Sequence, residues 1–248
     1  QIDPWQWKAD GIGRIWRYQD SELRVMIIPE SANIDINTAP PPLLAGLFVS
    51  IGIDQAKVAA LVDSILDWRD NDELRRPHGA EKAEYAAAGL RHAPGNSDFL
   101  AIDELEQVLG ISEDLFRRIE PLITVHSHEP GIDLATAPRD VLLALPNATP
   151  EQVDRFLSER QALLMQGLPA PPFGPAQGFT AGSNNPVFSI QVEVVLSDNT
   201  RFLRQAVARL NGIPNEPVRF LAWRAPQYST RRSAPNSENV DTDVEIRK

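Results

Sequence analysis

One short phrase occurs twice in this chain and constrains its fold more than any other feature. Residues 34–44 read IDINTAPPPLL, and residues 132–142 read IDLATAPRDVL. An extended entry, a threonine N-cap and a proline in the first turn are typical of a strand-to-helix junction. Because the two copies agree at several positions in register, the sequence predicts a structural repeat of two related helical modules, with Thr38 and Thr136 as the N-caps.

Each copy opens a pair of predicted helices joined by a short turn, which is the outline of a helix-hairpin-helix. The first module lies near residues 38–121 and the second near residues 132–166. Some helix-hairpin-helix modules bind the DNA backbone through a glycine-rich turn and nearby cations. Here the first turn, SIGID, has a single glycine with only Lys57 nearby, and the second turn, PNAT, has no glycine. This pattern favours structural packing or protein binding, with nucleic-acid binding as the alternative.

Alternating apolar and polar residues flank this helical region and predict β-strands. GRIWRYQ and ELRVMIIP precede it, with a turn near Asp20 and Ser21, and FSIQVEVVL, RFLRQAVARL and VRFLAWR follow it. The simplest fold places the early and late strands in one sheet with the helices as an insertion. We therefore predict an α+β fold in which residues 1–37 and 186–224 form the sheet domain and residues 38–185 the inserted domain. The polar tail, 225–248, is predicted to be disordered.

Composition excludes several classes of protein. The chain has 34 acidic and 24 basic residues, a formal net charge of −10, so it is a poor general ligand for a DNA backbone. It has no cysteine, which rules out disulfides and thiol chemistry. We find no glycine-rich phosphate loop and no nucleophile elbow, and we predict that the chain is not an enzyme.

The five tryptophans, among them Trp16, Trp68 and Trp223, are expected in the core or at a domain interface.

An acidic loop after Trp68 is the one place where the sequence concentrates site-like residues. Carboxylates spaced along an irregular loop are the hard oxygen ligands that Ca²⁺ prefers. Three basic side chains in the same loop could instead neutralise these carboxylates, so a solvated polar loop is the alternative interpretation. The candidate ligands are Asp70, Asp72, Glu81 and Glu84, with Asp67 beside them.

The order of several motifs resembles that of the K-type minor pseudopilins of bacterial type II secretion systems. These motifs are IDINTAPPPLL, SILDWRDNDE, HGAEKAEY, FLAIDELEQVLGIS and the final strands from VFSIQVEVVL to RFLAWR. The resemblance covers nearly the whole chain up to Arg224. The NTAP start, the DW-x-D loop and the terminal strand ending in Trp-Arg are fairly specific when they occur together.

The resemblance implies a type IV pilin-like antiparallel sheet with a large inserted α-helical domain. It implies a periplasmic domain of an inner-membrane-anchored protein, attached to the membrane only through an N-terminal helix that precedes this sequence. It also implies a complex with the I- and J-type minor pseudopilins at the tip of the pseudopilus, where the complex caps or nucleates assembly. Secreted substrate proteins and other secretion-system components are further expected partners, whereas nucleic acid is not.

The resemblance further implies a structural calcium ion in the helical domain, with Asp70, Asp72, Glu81 and Glu84 in the matching loop. Two other classes of function stay open at the level of sequence. One is a helix-hairpin-helix accessory protein that binds nucleic acid. The other is a metal-dependent hydrolase that uses the acidic loop, although we expect no activity.

Overall fold

The computed structural model describes residues 7–18, 21–182, 186–195 and 201–224. The chain divides into two compact units, a sheet unit of residues 1–29 with 186–248 and a helical unit of residues 30–185. The predicted boundary at residue 37 differs from this division because Ile34 and Ile36 are fully buried in the helical core. The tail predicted to be disordered, and the predicted turn residue Asp20, lie outside the described residues.

The described part of the sheet unit forms a five-stranded antiparallel sheet from early and late segments of the chain, which confirms the prediction of a single split sheet. Its strands are β1 Arg14–Tyr18, β2 Ser21–Pro29, β5 Val187–Val195, β6 Arg201–Ile213 and β7 Glu216–Arg224. Their spatial order is β1-β2-β5-β6-β7, so β2 pairs directly with β5, the first strand that follows the helical unit.

The two faces of this sheet differ in chemistry because successive side chains of a strand point to opposite sides. The register puts a set of apolar residues on one face: Leu23, Val25, Ile27, Phe188, Ile190, Val192, Val194, Ala206 and Ala208. The aromatic residues on the outer strands of this face are largely exposed, with Trp16 at 40% and Trp223 at 68%. The prediction of buried tryptophans is therefore wrong for these two, whereas Trp68 is 4% exposed.

In its described residues, the helical unit contains six α-helices and a short parallel sheet that the sequence did not predict. The strands of this sheet are β3 Ile34–Asp35 and β4 Ile123–Thr124. They pair in parallel. The helices are α1 Pro41–Ser50, α2 Gln55–Arg69, α3 Lys82–Ala87, α4 Glu113–Ile119, α5 Arg139–Leu143 and α6 Pro150–Met165. Residues Ile102–Gln107 form a 3-10 helix.

Helix starts follow from local hydrogen bonds. The side chains of Asp54, Ser112 and Thr149 accept hydrogen bonds from backbone amides in the first turns of α2, α4 and α6. The prediction that Thr38 and Thr136 cap helices is wrong, because α1 and α5 begin two residues later, after Pro40 and Pro138. The Thr38 hydroxyl donates instead to the Glu129 carbonyl over 2.7 Å, and the Thr136 hydroxyl donates to the Asp133 carboxylate over 2.5 Å.

The repeated phrase forms the same turn in both copies. The Asp35 carboxylate accepts a hydrogen bond from the amide two residues later, over 2.8 Å, and the Asp133 carboxylate does the same over 3.0 Å. Each turn is then fixed by an arginine from the second helix of its own module. Arg69 donates to the carbonyls of residues 36 and 39, and Arg160 donates to those of residues 134 and 137, the corresponding positions.

The two modules meet where corresponding residues face each other. Gly46 of α1 corresponds to Ala144 after α5 when the two phrases are aligned. A Cβ atom on Gly46 would fall 1.8 Å from the Ala144 carbonyl oxygen, so only glycine fits at this position. The packing therefore brings the first helices of the two modules together at small residues. The assignment of these helix pairs as helix-hairpin-helix modules stays a prediction.

Candidate functional site

The acidic loop begins at the end of α2 and is held by Asp67. This carboxylate is fully buried and accepts hydrogen bonds from the Arg76 amide at 3.3 and 3.2 Å. The Arg76 guanidinium Nε lies 3.3 Å from the same carboxylate and its NH2 group lies 3.5 Å from Asp70. Gly79 packs so closely that a Cβ there would lie 2.0 Å from Asp67 Oδ2. The loop is therefore wrapped around a buried carboxylate.

Glu81 is the most perturbed acid of this loop. Its side chain is 6% exposed, and its Oε1 atom is buried without a hydrogen-bond partner. Burial, reinforced by the negative charges of Asp67, Asp70, Glu73 and Asp72, raises the pKa of Glu81 to about 7. Burial also raises the pKa of Asp67 despite its bonds to Arg76. Glu81 borders an open cleft of about 410 Å³ that is also lined by Glu73 and Lys82.

The other predicted ligands have different surroundings. Asp70 has one oxygen near Arg76, whereas its Oδ1 atom is buried and lacks a hydrogen-bond partner. Asp72 accepts a hydrogen bond from the Leu74 amide over 2.7 Å, as in an Asx turn. Glu84 accepts from the Glu81 amide over 3.0 Å and lies 3.3 Å from the Arg75 guanidinium. The structure thus leaves unpaired oxygens on Asp70 and Glu81 but engages Asp72 and Glu84 within the loop.

This arrangement fits a calcium ion in chemistry but not in number of ligands. Buried carboxylate oxygens without partners, beside acids whose negative charges raise the pKa of Glu81, are typical of a site that accepts a cation. Ca²⁺ takes about six to eight oxygens, and within the described part of the chain no three Asp, Glu, His or Cys side chains are grouped closely enough to hold a metal. The four predicted ligands do not form a preassembled set, and the calcium site stays a prediction.

Sequence reasoning placed Asp67 beside the ligands but missed its central position. The signal was present, because Asp67 follows Ser64 by three residues and Leu61 by six, on the buried side of α2. A carboxylate at such a position is buried with the apolar residues around it. Its neighbour Trp68 stacks on Phe99, with ring centroids 5.7 Å apart, and so supports the loop from the core.

A second support comes from the first copy of the repeated phrase. The Asn37 side chain accepts a hydrogen bond from the Phe99 amide over 2.8 Å and donates one to the Phe99 carbonyl over 3.0 Å. The second copy has Ala135 at the corresponding position. Only the first copy can therefore hold the aromatic residue that backs the acidic loop.

Comparison with known proteins shows which family part of the chain is similar to. Residues 26–128 match the family described as type II secretion system protein K. The chain is 27% identical over 149 residues to a type II secretion system protein K of Pseudomonas aeruginosa, covering 56% of this chain and 44% of that protein. It is 32% identical over 92 residues to the protein of that name from Aeromonas hydrophila, covering 36% of this chain and 28% of that protein. Over residues 26–128 the chain is therefore similar to type II secretion system protein K.

The fold of the chain is similar to that of a solved structure. The structure superposes on a chain of the crystal structure of the GspK-GspI-GspJ complex from the enterotoxigenic Escherichia coli type 2 secretion system, with a TM-score of 0.62. The sequence identity is 14%, and the superposition covers 87% of this chain and 83% of that chain. In sequence, the chain aligns with less than half the length of these protein K relatives. Among the described residues, no helix is both long and apolar enough to cross a membrane.

Proposed function

We propose that this chain is a minor pseudopilin domain that assembles with I- and J-type minor pseudopilins at the tip of a type II secretion pseudopilus. The observation that carries the proposal is the match of residues 26–128 to the protein K family. The structural similarity to a chain of the GspK-GspI-GspJ complex supports the fold on which such an assembly would be built. In this role the chain acts on the periplasmic side of the inner membrane, caps or nucleates the filament, and catalyses no reaction.

The apolar face of the sheet gives this proposal a physical basis. A single-layer sheet leaves its apolar face exposed to water unless another element packs on that face. Here Phe220 and Trp223 stand on the apolar face with rings 4.9 Å apart, and they are 51% and 68% exposed. We propose that the N-terminal helix implied by the pilin resemblance packs on this face and attaches the domain to the membrane.

Co-purification tests the proposed assembly. This chain would be mixed with the periplasmic domains of the I- and J-type minor pseudopilins of the same organism and analysed by size-exclusion chromatography with light scattering. We expect a ternary complex, and three separate peaks would contradict the proposal. Titration with duplex DNA at physiological salt tests the nucleic-acid alternative, and the net charge of −10 leads us to expect no binding.

We also propose that the acidic loop binds calcium as a structural ion. The support is the pair of unpaired buried oxygens on Asp70 and Glu81, and an ion there would offset the repulsion among the surrounding carboxylates. A ligand that binds only the folded state adds about 2.7 kcal/mol of stability at a hundredfold excess over Kd. We expect calcium to raise the melting temperature of the wild-type chain, and Asp70→Ala with Asp72→Ala to remove this effect.

Glu104→Gln with Glu106→Gln is the control, because these acids lie outside the loop in the 3-10 helix Ile102–Gln107. This control should keep the calcium response. Identical melting curves of the wild-type chain with calcium and with chelator would show that the loop is a solvated connection.

A further inference from the structure

The polar face of the sheet carries an unusual group of arginines. Charge is distributed unevenly in this chain, since the helical unit, residues 30–185, has 23 acidic and 11 basic residues, a net −12, whereas the rest of the chain is net positive. Within the sheet unit most of the described arginines lie on the face opposite the aromatic pair Phe220 and Trp223, whereas Arg14 and Arg204 lie on the same face as that pair. The register places six arginines on this polar face: Arg17, Arg24, Arg201, Arg209, Arg219 and Arg224.

These arginines differ in their partners. Arg17 lies 3.9 Å from Glu22 and Arg201 lies 3.1 Å from Glu193, so both are paired on this face. Within the described part of the chain, no carboxylate forms an ion pair with the three arginines at the β6–β7 end of the face. These three residues, Arg209, Arg219 and Arg224, are called the arginine cluster below.

Two features of the arginine cluster cost stability when no anion lies over it. Arg209 and Arg219 are directly opposite each other on β6 and β7. Like charges at directly opposite positions of an antiparallel pair are destabilising. In addition, Arg209 Nε is buried without a hydrogen-bond acceptor, and a buried donor without a partner costs stability. Both costs would be removed by an anion placed over the cluster.

The geometry points to carboxylates of an extended protein segment as this anion. Arginine presents a planar fork that holds carboxylates in bidentate fashion. Arg224 is opposite Gln205, four residues along β6 from Arg209, a separation of about 13 Å. Acidic residues at alternate positions of an extended segment recur about every 7 Å, so such a segment reaches both ends of the cluster.

A membrane surface fits this face less well. Glu22 and Glu193 share the face with the arginines, and a continuous layer of anionic headgroups would meet these carboxylates as well. Surfaces that lie on membranes combine cations with apolar side chains that enter the bilayer, whereas Phe220 and Trp223 are on the opposite face. We infer that the arginine cluster is a docking site for an acidic, extended segment of a partner protein.

A peptide of four Ser-Glu repeats is the probe, with four Ser-Gln repeats as the neutral control. We expect the full chain to bind the acidic peptide only, with an affinity that falls as salt rises. Arg219→Gln with Arg224→Gln should weaken binding about tenfold. The matched control, Arg17→Gln with Arg201→Gln, removes two arginines of the same face that already have acidic partners, and should change binding by less than about threefold.

A second measurement separates a docking role from a purely structural one. Arg219→Glu places opposite charges across β6 and β7, so it should raise the melting temperature of the free chain while it abolishes peptide binding. Equal peptide affinity of the two double variants would overturn the inference. So would absence of binding by the wild-type chain, or arginine-dependent binding to phosphatidylglycerol vesicles that is tighter than binding to the peptide. The co-purification with I- and J-type pseudopilins tests the proposed assembly alone, so the assembly and the docking site can fail separately.

Discussion

Replacing Glu81 by glutamine should stabilise the chain at pH 8 in the absence of calcium. In the folded chain the pKa of Glu81 is raised from 4.5 to about 7, because burial and neighbouring carboxylates disfavour its charged form. At about 1.4 kcal/mol for each pH unit, this difference corresponds to about 3 kcal/mol. Glutamine keeps the size of the side chain and removes its charge, so the variant avoids this cost.

The sign of the pH dependence follows from linkage. Because the folded state holds the proton of Glu81 more tightly than the unfolded state, this contribution to stability is fully present below the unfolded pKa of 4.5. It is lost as the pH rises through the folded pKa of about 7. The wild-type chain should therefore lose about 3 kcal/mol relative to Glu81→Gln between these two pH values, with little further change above pH 8.

Urea denaturation in chelator at pH 5 and pH 8 measures this difference. We expect Glu81→Gln to exceed the wild-type free energy of unfolding by about 3 kcal/mol at pH 8 and by less than about 1 kcal/mol at pH 5. The exposed Glu106 provides a control, since Glu106→Gln should stay within about 0.5 kcal/mol of wild type at both pH values. A stability gain that is the same at pH 5 and pH 8 would refute the reasoning from the buried charge.

Two further predictions concern the repeated modules. Gly46→Ala should lower the free energy of unfolding by about 2 kcal/mol or more, because its Cβ would collide with the Ala144 carbonyl, and the better helix propensity of alanine does not compensate. Gly174→Ala, where a Cβ meets no atom within 4 Å, is its control in chemical denaturation and should be nearly neutral. Arg69→Lys and Arg160→Lys should each cost about 1–3 kcal/mol, because one ammonium cannot replace the fork that bonds two carbonyls. Unchanged denaturation midpoints for both lysine variants would show that these arginines do not hold their turns.

Local sequence patterns predicted the elements well and the long-range pairings poorly. Strand alternation predicted the split sheet. The caps at Ser112 and Thr149 are also local features, because their hydrogen bonds span only three residues. The parallel pairing of Ile34 with Ile123 has no local signal, since the two residues are far apart in the chain. The hydroxyl of Thr38 was misread for the same reason, because its acceptor is the distant Glu129 carbonyl.

The candidate site was predictable in location but not in detail. Acidic composition marked the loop between Asp70 and Glu84, and the structure finds its buried carboxylates there. Which oxygens remain unpaired depends on where Arg75 and Arg76 point, and spacing along a loop does not determine that. The arginine cluster was invisible for a similar reason, since it arises only when the register of β6 and β7 is known.

The contact of Gly46 with Ala144 makes the helical unit resemble a symmetric dimer whose two halves are joined in one chain. In a true dimer any substitution appears twice, so a residue that suits one half must also suit the other. Fusion removes that restriction. One half has Asn37, whose hydrogen bonds hold Phe99 behind the acidic loop, whereas the other half has Ala135 at the corresponding position. The duplicated halves can thus divide their tasks, one keeping the contact between the modules and the other also supporting a site.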